Sequence, residues 1–303
     1  MSVQQQTLSP RAWAELLLLG MIWGGVFLAT RIALDEIPVL TSIAHRTFWA
    51  ALALWVVVLS RRMEISIRAK TCGAFLIMGL LNNIIPFGLL NWSQLYIESG
   101  LVSIFNATTA IFGVVVAAMF FADEKLSARK SVGVVLGFLG VLTAIGFSNL
   151  LSFDPRSVAQ LAAVTATLSY AFAGVWARKT LGDQPPLVAA AGMLTASTLI
   201  SIPAAWIIDG PIRFDLQPVT WAAIAYYAVI ATALAYLLYY RVLAMAGSGN
   251  LMLVTLVIPP FAILLGALVR GEALESQAFA GFVLLALGLA IIDGRVLNRF
   301  RRK

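Results

Sequence analysis

The chain has 303 residues, 61% of them apolar and only 12% charged, with a net charge of +7 and a mean hydropathy of +0.92. Soluble domains run at about 45–50% apolar and about 25% charged, so this chain has too little polar side chain to cover a water-facing exterior. A soluble enzyme, a nucleic-acid binder and a disordered chain do not fit that composition. With Cys72 its only cysteine and His45 its only histidine, an intrachain disulfide, a thiolate metal cluster and most zinc or histidine-based catalytic schemes are removed as well.

A membrane-spanning helix needs about 20 mostly apolar residues. Ten stretches qualify, near 13–34, 40–59, 71–93, 98–120, 130–148, 157–179, 187–208, 219–241, 249–268 and 276–295. The sequence therefore predicts an all-α integral membrane protein with ten transmembrane helices. The first helix carries Trp23 near mid-membrane and Gly20 and Gly24 on one face; it ends at Asp35-Glu36-Ile37-Pro38. The second holds His45-Arg46 about one turn from its start. An ionisable pair in a membrane is a functional candidate: Arg46 takes either a substrate carboxylate or nearby carbonyls or Glu36.

The third helix is the most informative. Pro86 has no N–H and cannot bond the Asn82 carbonyl, and Asn82, Asn83, Asn91 and Gln94 add amides. Freed backbone at membrane depth is tolerated where it is buried in protein or faces a watery cavity. Asn106, Thr108 and Thr109 give the fourth helix a polar face, and Gly133, Gly137 and Gly140 stripe the fifth, as static packing or a sliding surface. Tyr170 lies near the middle of the sixth. In the eighth, Tyr236, Tyr239 and Tyr240 form a stripe that serves packing or a ligand. The break before the ninth is placed at Gly247-Ser248-Gly249-Asn250, and Pro259-Pro260 frees the carbonyls of Thr255 and Leu256. No Asp or Glu lies near the middle of any span, which argues against a cationic-drug antiporter and weakens proton coupling. Trp13, Trp92, Trp206 and Trp221 fit an interfacial belt.

Loop charge orients the chain. With the N-terminus inside, 16 of the 21 Lys and Arg fall on the cytoplasmic side, and only Arg31, Arg156, Arg213 and Arg270 on the other. Both termini are then cytoplasmic, and the basic residues need no nucleic acid. The polar first twelve residues lack an apolar core and a small-residue cleavage site, so no removable signal peptide is expected.

The second half repeats the first. At an offset of 147, Trp23 falls on Tyr170, Arg31 on Arg178 and Pro38 on Pro185; at 148, Glu124 falls on Glu272 and Gly133, Gly140 and Gly146 on Gly281, Gly288 and Gly294. Five helices per half is an odd number, so residues 1–150 and 151–303 form two inverted five-helix repeats.

Trp23-Gly24-Gly25-Val26-Phe27, Arg46 through Leu52, and Gly271-Glu272-Ala273-Leu274, with Pro259 twelve residues before the last, resemble the signatures of EamA-type proteins in the drug/metabolite transporter superfamily. Within it the chain looks most like the YddG-type aromatic amino-acid exporters of bacterial inner membranes. Three features depart from the pattern: Asp123-Glu124-Lys125-Leu126 lacks the glycine, Thr109 to Phe112 lack a proline, and helix 2 reads Arg46-Thr47-Phe48.

The resemblance implies an exporter of small neutral or zwitterionic metabolites, with aromatic and other large apolar amino acids as its class. Trp23, Asn82, Asn83, Asn106, Tyr170, Arg46 and Tyr239 are the expected substrate-binding residues, with Pro86, Pro259 and Pro260 as hinges for alternating access by rocking repeats. No cofactor, metal or nucleic-acid partner is expected; the partners are a small-molecule substrate and the bilayer. A broad-specificity drug or toxic-metabolite exporter is the alternative. An intramembrane enzyme would need a cluster such as H-E-x-x-H, G-x-S-x-G or paired aspartates, and the sequence has none of these.

Overall fold

The computed structural model describes residues 9–65, 68–122, 124–146, 155–251 and 253–293, which hold helices and turns and no strand. The junction at 150/151, Asp123 and the basic residues of 295–303 lie outside the described residues. Among the described residues, eight helices are long and apolar enough to span a membrane: α1 (Pro10–Leu34), α2 (Val39–Ser60), α3 (Ala69–Ser93), α4 (Ser99–Phe120), α5 (Ala128–Ile145), α6 (Pro155–Thr180), α7 (Pro186–Ile208) and α8 (Pro218–Val242). Two shorter apolar helices follow, α9 (Val254–Arg270) and α10 (Ser276–Ile292). All ten lie where the sequence places spans, as two inverted sets of five.

Local chemistry sets several ends. The Ser9 hydroxyl accepts the Ala12 N–H at 3.2 Å and Pro10 opens α1, while Ser127 caps α5 through the Lys130 N–H at 3.3 Å. Gly271 closes α9 with φ +65°, a left-handed conformation that costs glycine nothing. The predicted break at 247–250 is corrected: helix continues to Leu251. Glycine lowers helix propensity by about 1 kcal/mol but does not end a helix by itself.

Two further differences concern broken helices. α9 runs uninterrupted through Pro259-Pro260, which fall in its second turn. α4, without a proline, is broken by a turn at Ala107 and Thr108. Hydroxyls compensate there: Thr109 Oγ1 donates to the Asn106 carbonyl at 2.7 Å, and Thr108 and Thr167 share a hydrogen bond at 2.8 Å.

The third helix of each half contains a π-helical stretch, Leu80–Ile84 in α3 and Tyr226–Leu234 in α8. The repeat offset of 147 carries the first onto 227–231, inside the second. In α3 the stretch directly precedes Pro86, and the Ile85 N–H reaches back five residues to Leu80. α8 has no proline there; Thr232 Oγ1 bonds the Tyr227 carbonyl at 2.7 Å. The first helix of each half, α1 and α6, docks on the π stretch of the other half: Trp23 Nε1 donates to Ala231 O at 3.1 Å, and Ser169 Oγ donates to Leu81 O at 2.7 Å.

The halves interleave. α2 packs on α7, α5 on α10, α1 on α9 and α8, and α6 on α3 and α4. The tightest approach is α5 to α10, where a Cβ on Gly133 would meet Gly288 O at 2.6 Å and one on Gly140 would meet Gly281 O at 2.7 Å. Lipid offers no hydrophobic drive for helices to associate, so such backbone contact holds this pair through dispersion and fit.

Candidate functional site

A cavity of about 730 Å³ lies at the centre, lined by α1–α4 and α6–α9 and by neither α5 nor α10. That volume falls within the roughly 300–1,000 Å³ of small-molecule sites. Its lining reaches Leu181, Gly182 and Gln184 of the α6–α7 loop and Leu251 after α8. It therefore opens on the face that carries the start of α1, here termed the amino-terminal face. Toward the opposite face the lining stops at Thr30 of α1 and at Gln94, the first residue of the α3–α4 turn.

The lining is mainly apolar and aromatic. Trp23 and Tyr239 lie with ring centroids 5.9 Å apart, Tyr239 meets Tyr240 edge-on at 5.2 Å, and Tyr240 stacks on Tyr236 at 6.3 Å. These rings form one wall with polar edges, suited to an amphipathic guest. Amides are contributed by Asn82, whose Nδ2 lies 3.5 Å from Met193 Sδ, and by Asn106, Asn91 and Gln94. Gln94 is 3% exposed and its Oε1 has no partner among the described residues.

Arg46 is the one charged side chain of the described lining, which holds no Asp, Glu, Lys or His. Its Nε donates to Thr232 Oγ1 at 3.3 Å, and its guanidinium lies 3.8 Å from the centre of the Phe87 ring. The Thr232 hydroxyl can accept from Arg46 because it donates its own proton to Tyr227 O. The π stretch of α8 thus orients the cation. His45, one residue earlier, faces away: it is buried between Phe214 and Trp221, and its Nδ1 accepts Trp49 Nε1 at 3.4 Å.

Of the residues singled out from sequence, Trp23, Asn82, Asn106, Tyr170, Arg46 and Tyr239 meet at the cavity. Asn83 does not: it is 1% exposed and donates to Ser197 on α7 at 2.8 Å, an interhelical contact. Pro86, Pro259 and Pro260 are absent from the lining, although Phe87 and Ile258 beside them are part of it. Gln94 and Asn91, noted from sequence among the amides of the third helix but not expected to bind substrate, also line the cavity; sequence reasoning missed Phe87. Tyr236 and Tyr240 were left between packing and ligand; both line the cavity.

The motif glycines serve close approach. A Cβ on Gly24 would meet Ile258 O at 3.0 Å, and one on Gly25 would overlap the Tyr226 hydroxyl, which donates to Ile22 O at 2.9 Å. They let α1 lie against α9 and α8 while Trp23 turns to the cavity.

The opposite face is closed by carboxylates that each cap a helix of the other half. Asp209, after α7, accepts the Thr41 N–H at 2.7 Å and its hydroxyl at 2.9 Å at the start of α2. Glu36 accepts the Gln217 N–H at 3.1 Å and the Thr220 hydroxyl at the start of α8. Glu272 accepts the Ser99 hydroxyl at 2.7 Å and the Gly100 N–H at 3.4 Å at the start of α4. Each anion meets the positive end of a helix dipole and an orphan N–H, an arrangement worth about 1 kcal/mol per cap. Arg270 to Asp35 at 2.6 Å and the bidentate pair of Arg156 with Glu98 at 3.0 and 3.1 Å add to this closure.

The model of the EamA-like transporter family matches twice, over residues 12–146 and 157–293, one match per five-helix set. A protein of Bacillus subtilis strain 168 described as an uncharacterized transporter, YoaV, is 23% identical over 271 residues, covering 89% of this chain and 92% of its own. A probable terminal-alkyne amino-acid exporter of Streptantibioticus cattleyicolor is 24% identical over 298 residues, 97% of each chain. A solved crystal structure superposes with a TM-score of 0.69 over 97% of this chain and 99% of its own at 17% identity, a likeness of fold alone.

Proposed function

The chain belongs to the EamA-like transporter family, and we propose that it carries small neutral or zwitterionic metabolites, aromatic and other large apolar amino acids above all, by alternating access through the central cavity. The observation that carries this reading is the cavity itself: an aromatic wall, amides, one fixed cation and no described carboxylate, at the meeting of two inverted halves and open on one face only. Arg46 would hold a substrate carboxylate, Asn82, Asn106 and Gln94 would accept from the ammonium, and Trp23, Tyr170 and Tyr239 would flank the side chain. An amino-acid exporter among the relatives supports this chemistry. A cationic drug finds no anion in the described lining and meets a positive charge already there.

By the loop-charge rule the open, amino-terminal face is cytoplasmic and both termini lie inside; the bacterial relatives it resembles support the inner membrane of a bacterium as its place. Because the halves interleave, residues 1–150 and 151–303 do not move as two whole blocks. The helices around the cavity shift against the α5–α10 pair, with the α4 break and the π stretches of α3 and α8 as the compliant points. The cross-half caps must release for the far face to open.

Counterflow of labelled phenylalanine into proteoliposomes loaded with phenylalanine, tryptophan, methionine, threonine or lysine tests this directly. Exchange with the large apolar amino acids but not lysine, unchanged by a pH gradient, is the expected result. Trp23→Ala and Asn82→Ala should lower flux at least tenfold while the protein still reaches the membrane; normal flux in both removes them from the site.

A further inference from the structure

Arg46 presents an electrostatic problem that the protein does not solve by itself. The guanidinium stays protonated in any protein environment, it lies in the middle of the fold, and only its Nε has a protein acceptor among the described residues, the neutral hydroxyl of Thr232. Its contact with the Phe87 ring at 3.8 Å returns part of the lost hydration. No carboxylate stands among the described lining to neutralise it. A cation inside a membrane protein is costly until an anion pairs with it, and an arginine fork matches a carboxylate in two hydrogen bonds.

The other end of an amino acid fares differently. An ammonium group would find only neutral partners: the unpartnered Gln94 Oε1, the other amide oxygens and the faces of Trp23 and Tyr239. These tolerate a cation without forming an ion pair, and Arg46 repels it. Loss of the ammonium leaves no charge unpaired, whereas loss of the carboxylate leaves Arg46 uncompensated.

We infer that the carboxylate is the obligatory group of the cargo and the ammonium a dispensable one, so that the cavity accepts amphipathic monocarboxylates lacking an amino group as well as zwitterions. Arg46 is the specificity-determining residue, and Thr232 positions it. The inference rests on this cavity being the transport site and deepens that reading.

Three ligands with one ring separate the two charges: phenylalanine, 3-phenylpropanoate and phenethylamine. Binding to the purified full-length protein is measured by calorimetry at pH 7, alongside competition in the phenylalanine counterflow assay. 3-Phenylpropanoate should bind within tenfold of phenylalanine, and phenethylamine at least a hundredfold more weakly. Arg46→Gln should weaken both carboxylates by tenfold or more and narrow the gap to phenethylamine. Arg46→Lys should retain part of the discrimination, and Thr232→Val should reduce it with the helical circular dichroism unchanged. If Arg46→Gln does not fold, the wild-type ratios and the two milder variants decide. Phenethylamine binding as well as 3-phenylpropanoate overturns the inference, as does failure of all three ligands to bind. The expected binding pattern without any counterflow would sink the transport reading and leave the carboxylate site standing. Counterflow inhibited equally by the amine and the acid would do the reverse.

Discussion

The two faces of the molecule are held together by different chemistry. On the opposite face, Asp209, Glu36 and Glu272 each reach across the halves to backbone N–H and hydroxyl groups at a helix start. On the amino-terminal face the ties between halves include ion pairs of long side chains, Glu15 with Arg241 at 2.5 Å and Glu124 with Arg178 at 3.6 Å, beside the bond from Trp176 Nε1 to Ala74 O at 3.0 Å, and no such carboxylate cap is found among the described residues. A short carboxylate set against a fixed backbone loses little rotamer freedom, whereas an exposed arginine must be ordered to make its pair and is screened by salt. Ion pairs cross the halves on both faces, but the cavity is shut on the face where carboxylate caps also cross them and open on the face where the described residues hold none. A carrier at rest in this state would open its far face by releasing the caps.

The strongest way to break the contrast is to remove two caps at once. Glu36→Gln with Asp209→Asn should cost about 1 kcal/mol per site, which shifts the balance toward an open far face by roughly 30-fold. In a Cys72→Ser background, a Thr30→Cys reporter should then react correspondingly faster with an impermeant maleimide added from that face. An unchanged rate would mean that the caps hold helices without gating.

A smaller effect is expected on the open face. Glu15→Gln removes the partner of Arg241, whose side chain is 56% exposed. Such pairs contribute about 0–1 kcal/mol, so Thr30→Cys labelling should change by less than fivefold. An equal response to that of the double variant would erase the distinction between the faces.

The smallest effect separates ties across halves from ties within a loop. Arg213 donates to Asp215 at 3.0 and 3.1 Å within one exposed loop of the closed face, and that hydrogen bonding holds the Asp215 carboxyl below its ordinary value of 3.8. A depressed carboxylate contributes stability above its unfolded pKa and loses it as pH falls through the folded value. Thermal melting should therefore be flat between pH 7 and 5, and Asp215→Asn should lower it slightly and by the same amount across that window. A difference from wild type that varies between pH 5 and 7 would show that the loop couples to something titrating higher.

Much of this was legible in the chain itself. Ten spans, the odd count per half and the pairing of Trp23 with Tyr170 follow from hydropathy and self-similarity, and both aromatics line the cavity. Adjacent residues defeated the same reasoning. Asn82 and Asn83 differ only by about 100° of rotation around a helix, yet one lines the cavity and the other binds Ser197. His45 and Arg46 divide likewise. The π stretch of α8 left no proline to betray it, and the α4 break, compensated by threonine hydroxyls, lies in a segment that reads as an ordinary helix.

The sequence by itself determined that the chain lives in a membrane, how often it crosses and that its halves are inverted. These are one-dimensional properties: apolar length, loop charge and repeat spacing. Only the tertiary structure decided which face of each helix meets the cavity and which acid caps which helix. The capping pairs lie 168 to 181 residues apart, and no local pattern announces a carboxylate whose partner is a backbone N–H. It also decided that the halves interleave, because helix pairing is set by side-chain fit across the bundle, and in lipid no hydrophobic gradient reveals that fit beforehand.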